Sequence, residues 1–135
     1  MKKARCSTKS VGIILQKNKK VLLLDRAFFP FGWACPAGHL RRGEKPVDGI
    51  RRELKEETNL QVIKPKLILF KKHVPNKCVK GSVYHDWYVF EGKARGKIIR
   101  NKSEAKDIGW FLPEEIKKMK LEPIWRLWLK TLKII

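Results

Sequence analysis

The sequence contains no long hydrophobic run. None of its apolar segments approaches the roughly 20 residues that a transmembrane helix needs. The apolar segment nearest the N-terminus, residues 11–15, is also too short for the hydrophobic part of a secretory signal peptide. We therefore expect a cytoplasmic protein that has no membrane partner.

Cysteine is also scarce. The three cysteines, Cys6, Cys35 and Cys78, are odd in number and widely separated. That pattern favours neither a disulfide framework nor a zinc site. We interpret them as small, partly buried residues in a reducing compartment.

Acidic residues are few. The chain has 13 Asp and Glu against 32 Lys and Arg, which gives a formal net charge of +19. Such a charge predicts attraction to polyanions and to phosphorylated substrates. The lysines are scattered along the chain, and no RNA-binding motif is present. A solvated lysine-rich surface and a nucleic-acid surface therefore both stay open as interpretations.

The chain also lacks internal repeats, low-complexity segments and linkers. Its length of 135 residues predicts one domain, residues 1–135, with a sizeable core. The polar residues 1–8 are expected to be flexible.

Apolar patterning predicts both strands and helices. Residues 11–15 and 21–24 are nearly continuous apolar runs, which predict a β-hairpin covered on both faces. An aromatic loop follows over residues 27–37, and a helix is predicted from Pro46 to a stop at Asn59. Further strands are predicted over 62–63, 67–70, 82–90, 97–100 and 107–111, with a turn across 75–81, and helices begin near Pro113 and Pro123. This mixture indicates an α/β fold in which helices pack on the faces of a mixed sheet.

The acidic residues that are present are concentrated, since five of the 13 lie between positions 44 and 57. Glu53, Glu56 and Glu57 share one side of the predicted helix, at the edge of its core-facing side, where we expect them neither buried nor freely solvated. Because like charges at this spacing cost roughly 0.2–0.5 kcal/mol per pair, the arrangement indicates a bound cation. Carboxylate oxygens suit a hard divalent cation, with magnesium the first choice and manganese the second. An amphipathic helix with incidental acids is the alternative.

Two neighbouring features support a site on this helix. Gly38 and Gly43 permit a tight loop that lies against it. Arg52, the basic residue beside the acids, can pair bidentately with a glutamate and hold the loop in register.

The same stretch resembles the Nudix box of the Nudix (MutT-like) hydrolase family. That motif reads G-x5-E-x7-R-E-U-x-E-E-x-G-U, where U is a bulky apolar residue. Residues 38–60 match every defined position except Asn59, where the family has glycine. Both residue types accept positive φ, so the departure is mild. Residues 33–39 and 103–115 resemble the family more loosely.

The resemblance implies an α/β/α sandwich with a mixed sheet between helices, and hydrolysis of a nucleoside diphosphate linked to another group. On the matching positions, Glu53, Glu56 and Glu57 would be metal ligands. Arg52 and Glu44 would organise the loop, and Glu44 would also reach a metal through water.

A metal-activated water, with no enzyme nucleophile, is the expected attacking group in such a reaction. The family's general base is a glutamate of the box or of a later loop. Glu53, Glu57 and Glu104 are the candidates here.

The substrate is less explicit in the sequence. Nucleotide bases need flat apolar surfaces, although aromatic residues also dominate cores. The candidate substrate-binding residues are Arg26, Phe28, Trp33, Gly38 and His39. The compact size of the chain resembles members that act on (deoxy)nucleoside triphosphates, which we take as the expected substrates.

Alternatives stay open for both substrate and assembly. Pro75 occupies a position where some ADP-ribose-cleaving members carry proline, which favours an ADP-ribose or nucleotide-sugar pyrophosphatase. The net charge favours an RNA 5′-end pyrophosphohydrolase or a basic RNA-binding protein. The last helix, with Trp125 and Trp128, either closes the local core or docks a second subunit, so monomer and homodimer are both retained.

Overall fold

The computed structural model describes residues 9–75 and 84–135, which form a mixed β-sheet with helices packed on its two faces. The elements in chain order are β1 Lys9–Lys17, β2 Lys20–Arg26, β3 Trp33–Ala34, β4 Ala37–His39, α1 Pro46–Thr58, β5 Gln61–Pro75, β6 Tyr84–Arg95, β7 Ala105–Phe111, α2 Pro113–Ile116 and α3 Pro123–Thr131. The α/β class predicted from the apolar patterning is confirmed.

Strand β1 is the centre of the sheet. It pairs in parallel with β6, with Ser10 opposite Trp87 and Leu15 opposite Gly92. Its first half also pairs antiparallel with β4, and its last residues form the predicted hairpin with β2. The main strand order is β3-β2-β1-β6-β5, with β7 on β2. Strand β4, which precedes α1, is therefore anchored directly to the central strand β1.

Alternation along β1 divides the core between the two faces of the sheet. Val11 and Ile13 pack in one cluster with Ile50 and Leu54 of α1. Ile14 belongs to the other cluster, which contains much of α3. Both faces of the hairpin are thus covered, as its continuous apolar runs predicted.

Helix α1 has the predicted ends. Pro46 occupies its first turn, and Asn59 caps its C-terminus in the left-handed conformation, with φ of 67°. The Asn59 N–H donates to the Lys55 backbone oxygen over 3.0 Å, which closes the last turn. Because Ile50 and Leu54 are fully buried, the polar sides of the helix take a fixed orientation.

The tryptophans of α3 pack inside their own chain. The rings of Trp125 and Trp128 lie 5.8 and 6.1 Å from that of Trp87 on β6, in edge-on geometry. Both side chains are buried, so this helix closes the local core. These two rings are therefore not available to dock a second subunit, and the oligomeric state stays a prediction.

Several predicted boundaries were wrong. Strand β6 continues past Gly92 to Arg95 because β5 pairs with it there, with Gln61 opposite Arg95. This backbone pairing outweighs the weak strand propensity of glycine. Strand β5 is one bulged strand rather than two. Residues 97–100 form no strand, since the Ile99 N–H donates instead to the Thr58 backbone oxygen at the end of α1. Of the turn predicted across 75–81, only Pro75, the last residue of β5, lies within the described residues.

Two further expectations concern cysteines and membranes. Cys35 is a buried free thiol, and burial raises its pKa, which makes it unreactive. Cys6 and Cys78 lie outside the described residues. Among residues 9–75 and 84–135, no helix has the length and apolar character to cross a membrane.

Candidate active site

Arg52 joins helix α1 to the loop and strand that precede it. Its Nε and Nη2 donate to the two carboxylate oxygens of Glu44 over 2.9 and 2.8 Å. Nη2 also donates to the backbone oxygen of His39 over 3.0 Å, and Nη1 donates to Oε1 of Glu53 over 2.8 Å. One guanidinium therefore holds loop, strand and helix in register, as its position in the sequence predicted.

Glu44 is the loop's partner in this clamp. Besides the two bonds from Arg52, its Oε1 accepts the backbone N–H of Arg41 over 2.9 Å. The hydrogen bonds from Arg52 above all, and then that from Arg41, lower the pKa of Glu44 to about 2. The carboxylate is thus ionised and fully engaged, which suits it to organising the loop.

Glu53 lies against strand β4 and requires glycine there. A Cβ on Gly38 would overlap the Glu53 carboxyl group. Burial raises the pKa of Glu53 to about 7, although Arg52 opposes the rise. The absence of a side chain at Gly38 is therefore what allows this carboxyl group to sit between helix and strand.

The three helix glutamates differ in exposure, contrary to the expectation that all would be neither buried nor freely solvated. Glu57 is buried, and its Oε1 accepts the Ala37 N–H of β4 over 2.9 Å. The side chain of Glu56 is 42 % exposed. The expectation came from a projection of the helix alone, which leaves out β4. That strand covers the side of α1 that carries Glu57 and leaves Glu56 exposed. Burial, and then the charges of Glu53 and Glu104, raise the pKa of Glu57 well above its usual value.

Glu104 joins the helix glutamates from a distant part of the chain. The turn before β7 docks on the end of α1, where Asn101 donates from its backbone N and from Nδ2 to the backbone oxygens of Glu57 and Glu56 over 3.4 and 3.3 Å. Burial, and then the charge of Glu56, raise the pKa of Glu104. Its Oε2 is buried and has no hydrogen-bond partner among the described residues. We call Glu53, Glu56, Glu57 and Glu104 the carboxylate cluster.

The carboxylate cluster has the donor chemistry that a hard divalent cation needs. Within the described residues, no three metal-binding side chains converge on one point. One oxygen of Glu53 accepts a hydrogen bond from Arg52, and one oxygen of Glu57 accepts from the Ala37 amide. The all-oxygen donor set of the helix glutamates nevertheless fits such an ion.

Arg26 and Phe28 lie together at the end of β2. The Arg26 guanidinium carbon is 4.8 Å from the centre of the Phe28 ring, and Nε donates to the Pro30 backbone oxygen over 2.6 Å. The Phe28 ring is exposed. Arg26 also opposes the burial-driven rise in pKa of Glu104, so its charge reaches the carboxylate cluster.

The other predicted substrate residues have structural contacts. Trp33 is partly buried and packs edge-on against Phe111, with ring centres 5.1 Å apart. The His39 ring stacks on His85 at 5.3 Å. Trp33 and His39 thus stabilise the strands that carry the site, while the Phe28 ring is exposed and Arg26 lies largely buried beside it.

The sequence analysis missed Glu122. It precedes α3, is buried, and has Oε1 3.9 Å from Nε of Arg26. Burial raises the pKa of Glu122 to about 7, and Arg26 opposes the rise. The only signal was a Glu-Pro pair, which indicates a helix start and gives no hint of burial.

The chain is similar in sequence and fold to known proteins. The family model of the NUDIX domain matches residues 7–132. An RNA pyrophosphohydrolase of Bartonella clarridgeiae is 35% identical over 81 residues, which cover 58% of this chain and only 38% of that protein. The nucleoside triphosphatase NudI of Escherichia coli is 26% identical over 98 residues, covering 68% of this chain and 70% of NudI. The crystal structure of a MutT NUDIX hydrolase from Burkholderia pseudomallei superposes with a TM-score of 0.80 at 19% identity, covering 92% of this chain and 96% of that one, and shows the same fold.

Proposed function

We propose that this chain, which belongs to the NUDIX domain family and is a Nudix hydrolase, is a magnesium-dependent pyrophosphohydrolase of (deoxy)nucleoside triphosphates. The observation that carries the proposal is the carboxylate cluster, held beside Gly38 by the clamp between Arg52 and Glu44. The cluster concentrates four carboxylates in a chain whose net charge is +19.

Nudix hydrolases generally need divalent metal ions. In this chain Glu53, Glu56 and Glu57 would hold the ion, with Glu104 beside them. Glu44 is less suited to direct ligation because its oxygens are engaged by Arg52. When bound, the ion neutralises the diphosphate and lowers the pKa of a bound water. Magnesium is the proposed ion and manganese the substitute, because both take carboxylate and water oxygens.

The side chains divide the remaining work. Arg52 keeps the loop and helix in position, and so acts as a positioning residue. Glu53, Glu57 and Glu104 are the candidates to accept the proton of the attacking water. Glu104 has an oxygen without a partner among the described residues, whereas one oxygen of Glu53 accepts from Arg52 and one of Glu57 accepts from the Ala37 amide. Geometry therefore favours Glu104 as the base and the helix glutamates as ligands.

The surface at Arg26 and Phe28 supports a nucleotide substrate. An exposed ring backed by a guanidinium can stack on a base while the cation faces phosphate. The likeness to NudI over most of both chains favours triphosphates. Removal of pyrophosphate from RNA 5′ ends is the second candidate, favoured by the net charge and by the Bartonella relative, of which the chain spans 38%. ADP-ribose and nucleotide sugars complete the set to be tested.

A hydrolysis panel tests the proposal. Purified protein with Mg²⁺ is offered nucleoside triphosphates, ADP-ribose, nucleotide sugars and 5′-triphosphate RNA, and the released monophosphate and pyrophosphate are measured. We expect triphosphates to be cleaved to monophosphate. Inactivity on every substrate, with Mn²⁺ binding retained, would overturn the proposal.

Glutamine variants assign the roles within the cluster. Glu57→Gln should abolish most turnover with the fold intact and should weaken Mn²⁺ binding measured by paramagnetic relaxation. Glu104→Gln should lower kcat by about 10²–10⁴-fold while Mn²⁺ binding changes little. Near-normal turnover in Glu57→Gln, or weakened Mn²⁺ binding in Glu104→Gln, would contradict the corresponding assignment.

A further inference from the structure

The strand pair β5–β6 carries an exposed aromatic face for which the proposed hydrolysis has no use. Phe70 is 40% exposed and stacks on Tyr88 with ring centres 4.6 Å apart. Tyr84 is 44% exposed and stacks on His73 at 4.1 Å. Large apolar side chains that cluster on a surface mark an interaction site more often than isolated ones do.

Both stacked pairs lie on the same face of the sheet. Side chains at alternate positions of a strand share a face, so Tyr84, Tyr88 and Phe90 point the same way. Phe90 is buried in the α1 cluster, and Tyr88 packs against that cluster. Strand register places Phe70 opposite Tyr88 and the exposed Leu67 opposite Phe90. The two pairs are therefore successive platforms, about 13 Å apart along β6 at four residues' separation.

Basic residues border this face on both sides. Strand β5 is an edge strand without any acidic residue. Its exposed lysines make no ion pair within the described part of the chain. Strand register places Lys66 and Lys71 opposite Glu91 and Trp87, on the other face of the sheet, so Lys72, two residues after Phe70, is the lysine that borders the rings. On the inner side, Arg51 of α1 donates to the Val62 backbone oxygen of β5 over 3.1 Å. The acid on the face, Asp86, accepts the His73 N–H over 2.9 Å.

Neither protection of the sheet edge nor pairing with a second copy accounts for this whole surface. Lysines on an edge strand discourage edge-to-edge pairing, but that role needs no exposed aromatic rings. A second copy pairing along β5 would bring lysines close to lysines, which is unfavourable for cross-strand neighbours. A partner with flat rings and regularly spaced negative charges matches both the rings and the basic side chains beside them, Lys72 and Arg51.

We propose that the β5–β6 face binds single-stranded nucleic acid. Bases stack on the Phe70–Tyr88 and His73–Tyr84 platforms, while Lys72 and Arg51 contact phosphates. Base–aromatic stacking of this kind tolerates any sequence and combines with a basic groove in known single-strand binders. The proposal is independent of the hydrolysed substrate.

Aromatic variants test the stacking. A labelled oligouridylate of about ten nucleotides with a 5′-hydroxyl end is titrated in metal-free buffer and followed by fluorescence anisotropy. Phe70→Ala and Tyr84→Ala should each weaken binding roughly 5- to 150-fold. The matched controls Ile99→Ala and Leu127→Ala remove exposed apolar side chains elsewhere and should leave binding unchanged. All four variants should retain wild-type circular dichroism and nucleotide hydrolysis.

A lysine variant tests the phosphate contacts. Lys72→Ala should make the slope of log K against log[salt] shallower by about 0.7, which is the contribution of one phosphate contact on a single strand. The control Lys117→Ala removes the same charge from an exposed position near α2 and should leave the slope unchanged.

Three results would overturn the proposal. One is equal weakening by the face variants and their controls. Another is binding of a blunt duplex as tight as that of the single strand. The third is a dimer by light scattering that Phe70→Ala converts to a monomer, which would assign the face to a second copy. Glu57→Gln should bind the oligonucleotide normally, so loss of hydrolysis and loss of this binding are separable.

Discussion

Replacing Arg52 by lysine tests whether one guanidinium organises the site. Arg52 makes four hydrogen bonds of 2.8–3.0 Å, two to Glu44, one to Glu53 and one to the His39 backbone oxygen. Lysine keeps the positive charge but loses the planar fork, and its single ammonium cannot span both Glu44 oxygens and also reach the other two acceptors.

The expected cost follows from the bonds that are lost. About two of the four should disappear, and a hydrogen bond to a charged group contributes about 1.5–3 kcal/mol. Partial exposure of the Arg52 side chain, 17%, and rearrangement of the loop reduce the sum. We therefore expect Arg52→Lys to lower the free energy of unfolding by about 2–4 kcal/mol.

The neighbouring arginine provides a matched control. Arg51 is exposed, and its side chain donates one hydrogen bond within the described part of the chain, to the Val62 backbone oxygen over 3.1 Å. Arg51→Lys should therefore cost under about 1 kcal/mol. Both variants are compared by urea unfolding in metal-free buffer, with hydrogen exchange of the Arg41 and Glu44 amides as a local readout. Equal unfolding free energies for the two variants would refute the clamp.

Two other predictions follow from buried groups. Gly38→Ala should displace the Glu53 carboxyl group and lower kcat, with a smaller effect on the free energy of unfolding because the flexible Glu53 side chain can move aside. The control is Gly109→Ala, whose added Cβ would lie 3.3 Å from the Phe111 ring. An unchanged kcat in Gly38→Ala would contradict the packing of Glu53 against Gly38. Glu122 has a folded pKa of about 7, above its usual 4.5. Its contribution to stability is therefore full below pH 4.5 and is lost as pH rises through 7. Glu122→Gln should accordingly gain stability relative to wild type between pH 5 and pH 8, by up to about 3 kcal/mol, in urea titrations; a pH-independent difference would show that Glu122 does not titrate there.

The features that sequence predicted best are those set by neighbours along the chain. Pro46 and Asn59 mark the ends of α1 because one pre-sets a helical φ and the other accepts a left-handed one. Ile50 and Leu54 fix the buried side by periodicity. The bidentate pairing of Arg52 with a glutamate was also predicted from residue type, and the structure shows that its partner is Glu44.

The features that sequence missed depend on contacts between distant segments. Glu104 reaches the helix because Asn101 bonds to the backbone at the end of α1, and neither residue has a local signal for that contact. The different burial of Glu56 and Glu57 depends on β4, which a projection of one helix leaves out. The substrate could not be predicted from the sequence for the same reason, because the residues around the site come from several strands and loops.

The location of negative charge in this basic chain bears on how substrate binds. If the proposed function holds, the phosphates of the triphosphate come to the carboxylate cluster, where unneutralised carboxylates repel them at short range. The net charge of +19 attracts the same substrate at longer range. We therefore expect divalent metal to improve binding of substrate as well as turnover.

Two single-charge variants separate these effects. Glu56→Gln and Glu114→Gln change net charge equally at exposed positions, but only the first lies in the carboxylate cluster. In metal-free buffer, Glu56→Gln should bind a non-hydrolysable triphosphate analogue more tightly than Glu114→Gln, because it removes a nearby repulsion. With saturating Mg²⁺ the order should reverse, because Glu56 then contributes a ligand. Calorimetric titration gives both affinities. Equal affinities of the two variants without metal would mean that the phosphates do not bind beside this cluster.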